Sequence, residues 1–248
     1  MTYSEGALLL VDFTTKVASS GEIINTTREE SENIDPALVS IGSIAFPVIK
    51  GVEDLLKEAE EGVTVKGIIP PEKGYGKRDP SKVRMVPLRK FGDDADSISV
   101  GETVTLDNKR AIVRFIGSGR VRIDYNHQYA GKNIECEATV IKHLKEDGEK
   151  VESIITDRFP PGDAPSFAID GNKVNIDINQ QLARQENIQI VKMMLKEDIF
   201  TFASGIDEIV YTETFQRQSP SKYKDESESE EVIEDVESEG VESEDTNR

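Results

Sequence analysis

Tyr75 stands between Gly74 and Gly76 in the run PPEKGYGKR, Pro70 to Arg78, and its type and setting are the most suggestive of chemistry in this chain. A phenol on a glycine-flanked loop offers a hydrogen-bond donor where packing gives it little to do, although a structural tyrosine fits the same place. Val48-Ile49-Lys50-Gly51 and DYNHQYAG, Asp124 to Gly131, share its apolar and aromatic character. Together the three segments supply apolar contact and a few donors, not a nucleophile. Hydrolytic and nucleotide chemistries find no support, because HExxH, paired CxxC, a GxSxG elbow and a phosphate-cradling loop are all missing from the sequence. His127 and His143 lack a nearby Cys or a third His, so no metal is expected, and no cofactor either. Asp93, Asp94 and Asp96 lack the glycine and terminal Glu of a calcium loop and read as a turn; Gly117-Ser118-Gly119 reads as a hairpin turn.

The elements that must position these residues follow from periodicity. Ala7, Leu9, Val11, Phe13, Thr15 and Val17 alternate with Leu10, Asp12, Thr14 and Lys16, the pattern of a half-buried strand. Val52, Leu55, Leu56 and Ala59 recur at helical spacing over residues 52–61, with Gly62 as a stop. Val63, Val65 and Ile69 alternate up to Pro70-Pro71, and Ile134, Cys136, Ala138 and Val140 repeat the alternation later. Between Arg84 and Asp124, short strands separated by Asp93-Asp94, Gly101, Asp107-Asn108 and Gly117-Ser118-Gly119 predict a small β module inserted into the sheet domain. Beyond Glu146 the spacing predicts a hairpin around Asp170-Gly171, with Val174, Ile176 and Ile178 facing one way. A helix over residues 183–203 and a last strand carrying Ile209, Tyr211 and Phe215 complete a ββαβ unit.

Charge sets further bounds. The 248 residues carry a net charge of −18, and the 30 residues from Ser219 hold 12 acidic and 3 basic side chains, half of that charge. Residues 218–248 are therefore expected to be a disordered acidic tail, either a solvated solubility tail or a docking tail. Such a balance repels phosphate backbones, which argues against a nucleic-acid partner. The one cysteine, Cys136, rules out an internal disulfide framework and fits a cytoplasmic protein. The apolar run Ala7 to Val11 is broken by Asp12 and follows no basic region, so neither a signal peptide nor a membrane span is expected.

VIKG before the helix, YGKRDP leaving the sheet and NHQYAGK after the module are motifs in a telling order. In them the chain resembles the FKBP-type peptidyl-prolyl isomerases, specifically the long archaeal members and their bacterial SlyD relatives with an insert-in-flap domain. The last motif is the most specific, since it matches the place where the family's insert closes. The resemblance implies an α+β protein in which an antiparallel sheet wraps on a short helix. It further implies an FKBP domain at residues 1–85 and 124–145, an insert at 86–123, and a C-terminal ββαβ domain at 146–217.

The resemblance also implies a reaction. Rotation about an X-Pro bond crosses a barrier of about 18–20 kcal/mol, because twisting breaks amide resonance. A pocket that strips water from the amide and grips the proline ring lowers that barrier with no covalent step. Carried over by motif, the pocket comprises Phe13, Ile24, Asn25, Val48, Ile49, the floor residue Val52, the donor Tyr75, the rim residues His127 and Tyr129, and Cys136 at the back. Phe13, Val52 and Cys136 read equally well as core. The family more often has Tyr at Phe13, Phe-Asp at Ile24-Asn25, and aromatic rings at Val52 and Cys136. The less aromatic pocket predicts a weakened isomerase. In the insert, Leu106, Val113 and Ile116 together with Val100, Val104, Ile112, Phe115, Val121 and Ile123 are too many for so small a module to bury, unless they form only its core; the last six are the client-binding candidates. By resemblance they would hold unfolded or proline-containing polypeptides. The alternative is a catalytically weak or inactive holdase or adaptor. A homodimer through residues 165–217 is a further expectation.

Overall fold

The computed structural model describes residues 3–28 and 35–215, so the expected acidic tail lies outside the described residues. β1 (Leu8–Val17) alternates between buried and half-buried positions along most of its length, as its period-two pattern requires. Along one edge it pairs with β9 (Ile134–Leu144) through its whole length. Along the other it pairs first with β3 (Ala37–Ser40) and then with β2 (Ile23–Thr26). β4 (Thr64–Ile69) joins the far side of β9 and completes a five-stranded antiparallel sheet.

Helix α1 (Lys50–Lys57) lies against this sheet and buries Val52 and Leu56. It begins two residues before the predicted start because the Ile49 carbonyl accepts from the Val52 and Glu53 amides. Two glycines permit the close approach. A Cβ on Gly51 would sit 2.2 Å from Ile69 Cγ2, and one on Gly67 would sit 2.8 Å from Leu55 Cδ2. Ile69 is itself buried and has nowhere to retreat.

The inserted module is a four-stranded antiparallel sheet in the order β5 (Val83–Pro87), β8 (Arg120–Asp124), β7 (Lys109–Gly117), β6 (Thr103–Leu106). Its two hairpin turns bear the residues that tolerate a left-handed backbone: Asp107 and Asn108 at φ 52° and 58°, Ser118 and Gly119 at 51° and 70°. The acidic run from Asp93 to Asp96 lies in a 3-10 segment kinked at Gly92.

The C-terminal part keeps the predicted ββαβ order, with one helix added before it and the long helix divided. A helix α2 (Asp147–Asp157) precedes the hairpin of β10 (Ser166–Asp170) and β11 (Lys173–Ile178). The expected helix over 183–203 is two, α3 (Gln180–Ala183) and α4 (Ile188–Phe202). The last strand, β12 (Glu208–Glu213), ends before Phe215 and runs parallel to β11, with the two helices as crossover. Gly148 and a single turn of apolar spacing hid α2 from the sequence reading. This unit does not keep a separate core: Leu8, Leu38, Phe46 and Leu144 share one apolar cluster with Val151, Ile154, Ile176 and Leu195.

Candidate active site

Helix entry, strand and loop bring the expected pocket residues together. Phe13, Val52, Tyr129 and Cys136 are buried in one cluster, and Ile24, Val48, Ile49 and Tyr75 pack half-buried against it. Alternation on β1 and β9 places Phe13 and Cys136 inside, while α1 supplies Val52 from the opposite side. Asn25 is the exception. Its side chain is exposed, and its contact with the sheet is a backbone one, the Thr15 hydroxyl donating to the Asn25 carbonyl at 3.4 Å.

An aromatic trio stands at the mouth. The Tyr75 and His127 rings stack at 4.5 Å and 2°, and Tyr129 lies 5.4 Å from Tyr75 and 5.8 Å from His127. The Tyr129 hydroxyl donates to Glu22 Oε1 at 3.1 Å, and the Lys132 ammonium sits 5.4 Å from the Tyr129 ring centre. The Tyr75 hydroxyl has no hydrogen-bond partner among the described residues, which leaves a donor free. Burial raises the Tyr75 phenol above its ordinary pKa, and burial followed by the Glu22 hydrogen bond does the same for Tyr129. Both therefore stay protonated at neutral pH. Burial pushes the Cys136 thiol up to about 11, so it is an apolar wall with no thiolate to attack anything. The arrangement can enclose a small ring, exclude water and offer a phenolic donor; nothing in it would form a covalent bond.

The loops bearing the trio are fastened to one another below it. Gly131 N–H donates to the Gly76 carbonyl at 2.8 Å, and Asp79 N–H donates to Asn126 Oδ1 at 2.9 Å. Asn126 Nδ2 returns a bond to the Asp79 carbonyl at 2.9 Å and another to Asp124 Oδ1 at 2.7 Å. Arg78 Nη2 donates to Asp124 Oδ2 at 2.5 Å, and Arg114 Nε approaches the same oxygen at 3.4 Å from a bulge in β7. The Asp124 side chain is 1% exposed. Burial opposes its ionisation, but the bonds from Asn126 and the two guanidiniums outweigh burial and hold its carboxyl below the usual range. Gly131 has φ +79°, and a Cβ there would lie 3.1 Å from Arg78 Cβ. Arg78, Asp124 and Asn126 stand inside the motifs, but nothing local in the sequence marks this role for them. Glu22 is a site neighbour not foreseen from the sequence, and no local signal points to it.

The expected client surface of the insert divides. Val121 and Ile123 are fully buried, which corrects their assignment to a binding surface: they close the module's own core with Val113 and Ala111. Val104 and Ile112 are half-buried, whereas Val100 is 63% and Phe115 47% exposed. Phe115 lies across Gly117, where a Cβ would come within 2.7 Å of its ring. A groove of about 500 Å³ opens between the insert and the return loop, bounded by Arg110, Ile112, Tyr125 and His127 among others.

Comparison with known proteins gives matches along most of the chain. Residues 2–90 match the family described as FKBP-type peptidyl-prolyl cis-trans isomerase. Residues 84–129 match the IF domain of FKBP26, and residues 147–216 match its C-terminal domain. The chain is also similar to a short-type peptidyl-prolyl cis-trans isomerase of Methanocaldococcus jannaschii. The two are 28% identical over 141 residues, which cover 53% of this chain and 87% of that protein.

Proposed function

We propose, from the premise that this chain belongs to the FKBP-type peptidyl-prolyl cis-trans isomerases, that its pocket turns X-Pro bonds of unfolded chains held beside it by the insert. The observation that carries this reading is the Tyr75 phenol, unpaired among the described residues and stacked on His127 at the edge of an apolar cluster. The proline ring would enter among Phe13, Ile24, Val48, Ile49 and Val52, with Cys136 behind it. Tyr75 would donate to a substrate carbonyl, and His127 and Tyr129 would border the entrance. Stripping water from the amide and favouring its twisted form accounts for catalysis with these residue types alone.

The insert, taken as residues 86–123, would recruit clients through Val100 and Phe115, with Val104 and Ile112 at the margin. The groove from Ile112 to His127 supports a path from there to the pocket. Tethering a client raises its effective concentration at Tyr75. The catalytic strength is reduced, because Val52 and Cys136 replace aromatic surface and the Asn25 side chain is exposed. The same features favour the second reading, a holdase or adaptor with little turnover. Refolding of a proline-limited protein separates the two, since uncatalysed isomerisation takes tens of seconds. Acceleration that weakens when Val100 and Phe115 are both changed to Ser, with short-peptide turnover retained, supports recruitment. Suppressed aggregation without acceleration establishes the holdase.

A homodimer through residues 165–217 belongs to the same proposal. Among the described residues β10 and β12 are the edges of their sheet, and α4 exposes Ile190, Met193, Met194 and Phe200. A monomer in sedimentation at high concentration would refute it. The acidic charge argues against nucleic-acid partners, and among the described residues no helix is long and apolar enough to cross a membrane. A cytoplasmic location and an archaeal source fit the lone cysteine and the archaeal relative, respectively.

A further inference from the structure

One guanidinium joins three parts of the chain that are far apart in sequence. Arg158 caps the C-terminal end of α2. Its Nε and Nη2 donate to Asp198 Oδ2 on α4 at 2.9 and 2.6 Å, and Nη2 also donates to the Ala45 carbonyl at 3.2 Å. Its guanidinium carbon lies 4.5 Å from the centre of the Phe46 ring, which packs in turn 5.9 Å from Phe202. Both ends of the ion pair are largely shut off from water, Arg158 at 17% and Asp198 at 9% side-chain exposure.

Phe46 is held on its other side as well. Its amide donates to the Ser40 hydroxyl at 3.2 Å, and its carbonyl accepts from the Ser40 amide at 3.0 Å. After Phe46 a single residue, Pro47, leads to Val48 and Ile49 and so to the start of α1. The pyrrolidine ring locks φ at Pro47, which removes one of the few rotations by which the chain could absorb a shift of Phe46. Part of any shift of Phe46 is therefore passed to Val48 and Ile49.

We propose that Arg158 is a positioning residue for the prolyl pocket, through which the C-terminal unit sets the place of the chain entering Val48 and Ile49. The proposal rests on the assignment of those two residues to the pocket. A planar fork meets both the Asp198 carboxylate and the Ala45 carbonyl while its central carbon sits over the Phe46 ring; the ammonium of a lysine is a point charge on a flexible stem. The C-terminal unit thereby bears on turnover without touching the substrate.

The test uses the full chain and an Xaa-Pro peptide followed by exchange NMR, which separates kcat from KM. Arg158→Met keeps an apolar stem over Phe46 and removes the fork. It is expected to lower kcat/KM about tenfold, mainly through KM, and to shift the Val48 and Ile49 amide resonances, since small misplacements of binding groups are costly. Arg158→Lys should recover part of the loss. Ile176→Val, in the same core but away from the loop, should leave kcat/KM within about twofold, being a small-volume change. Unchanged kcat/KM in Arg158→Met, or an equal loss in Ile176→Val, overturns the proposal. Should Arg158→Met not fold, Asp198→Asn keeps the guanidinium but loosens its anchor, and about a threefold loss is expected, with no loss as the refuting result. Ile49→Ala serves as the pocket control. If it retains full turnover the pocket assignment itself fails; if it is impaired while Arg158→Met is not, only the positioning role fails.

Discussion

The pocket mouth and the neck of the insert are made from the same two loops, yet they are held by opposite chemistry. Tyr75, His127 and Tyr129 meet as stacked rings beside an apolar cluster. A few residues away, Arg78, Asp79, Asp124 and Asn126 form a hydrogen-bonded knot around a buried carboxylate. The motifs that most identify the chain, YGKRDP and NHQYAGK, therefore carry two signals. Their aromatic letters meet at the candidate site, and their charged, amide and glycine letters join the insert to the sheet. A match to such a motif testifies to architecture at least as much as to catalysis.

The two sets of residues should therefore respond differently to substitution. Asp124→Ala has the largest expected effect, a loss of about 2–3 kcal/mol in urea denaturation, because Asn126 and two guanidiniums lose their acceptor. The figure is less than for a fully enclosed pair, since Arg78 and Arg114 remain partly exposed. Short-peptide kcat/KM should stay within about threefold while the variant is folded; a selective loss of turnover at full stability would break the comparison. Gly131→Ala forces a side chain into a left-handed backbone against Arg78. It should cost about 1–2 kcal/mol by the same denaturation measurement. Tyr75→Phe should show the reverse signature: kcat/KM down about tenfold for a lost transition-state donor, with stability changed by under about 0.5 kcal/mol.

The pH dependence sharpens the same contrast. The Asp124 carboxyl is held lower in the folded protein than in the unfolded chain. Its stabilising contribution is present above the unfolded carboxylate pKa and fades as pH falls through the folded one. Urea midpoints should therefore drop more steeply below about pH 4 for the parent than for Asp124→Asn. If turnover uses the Tyr75 donor, its alkaline loss should come above the ordinary tyrosine range, because burial raises that phenol. The smallest effect concerns Cys136: buried, with its pKa pushed up to about 11, it should resist a thiol reagent in the native state and react only on unfolding.

Much of the fold was legible because it is written in short-range periodicity. Alternation over residues 7–17 and 134–140 specified strands, helical spacing located α1, and Asp107-Asn108 and Ser118-Gly119 specified hairpin turns whose left-handed backbone few other residues accept. The candidate pocket set came in a different way, from motifs whose order resembles a family, and no local rule would have united Phe13 with Cys136.

What only the tertiary structure decided is which body covers each apolar face. Leu8 and Leu10 make the start of β1 apolar on both sides, a pattern explained by the C-terminal unit packing there. In the insert, hydrophobicity could not tell Ile123, which is sealed inside, from Phe115, which lies open across Gly117. Arg158 carries no sequence signal at all, because its partners Ala45 and Asp198 lie 113 and 40 residues away. Periodicity records the local direction of a side chain, but burial and hydrogen bonding depend on segments that folding alone brings into contact.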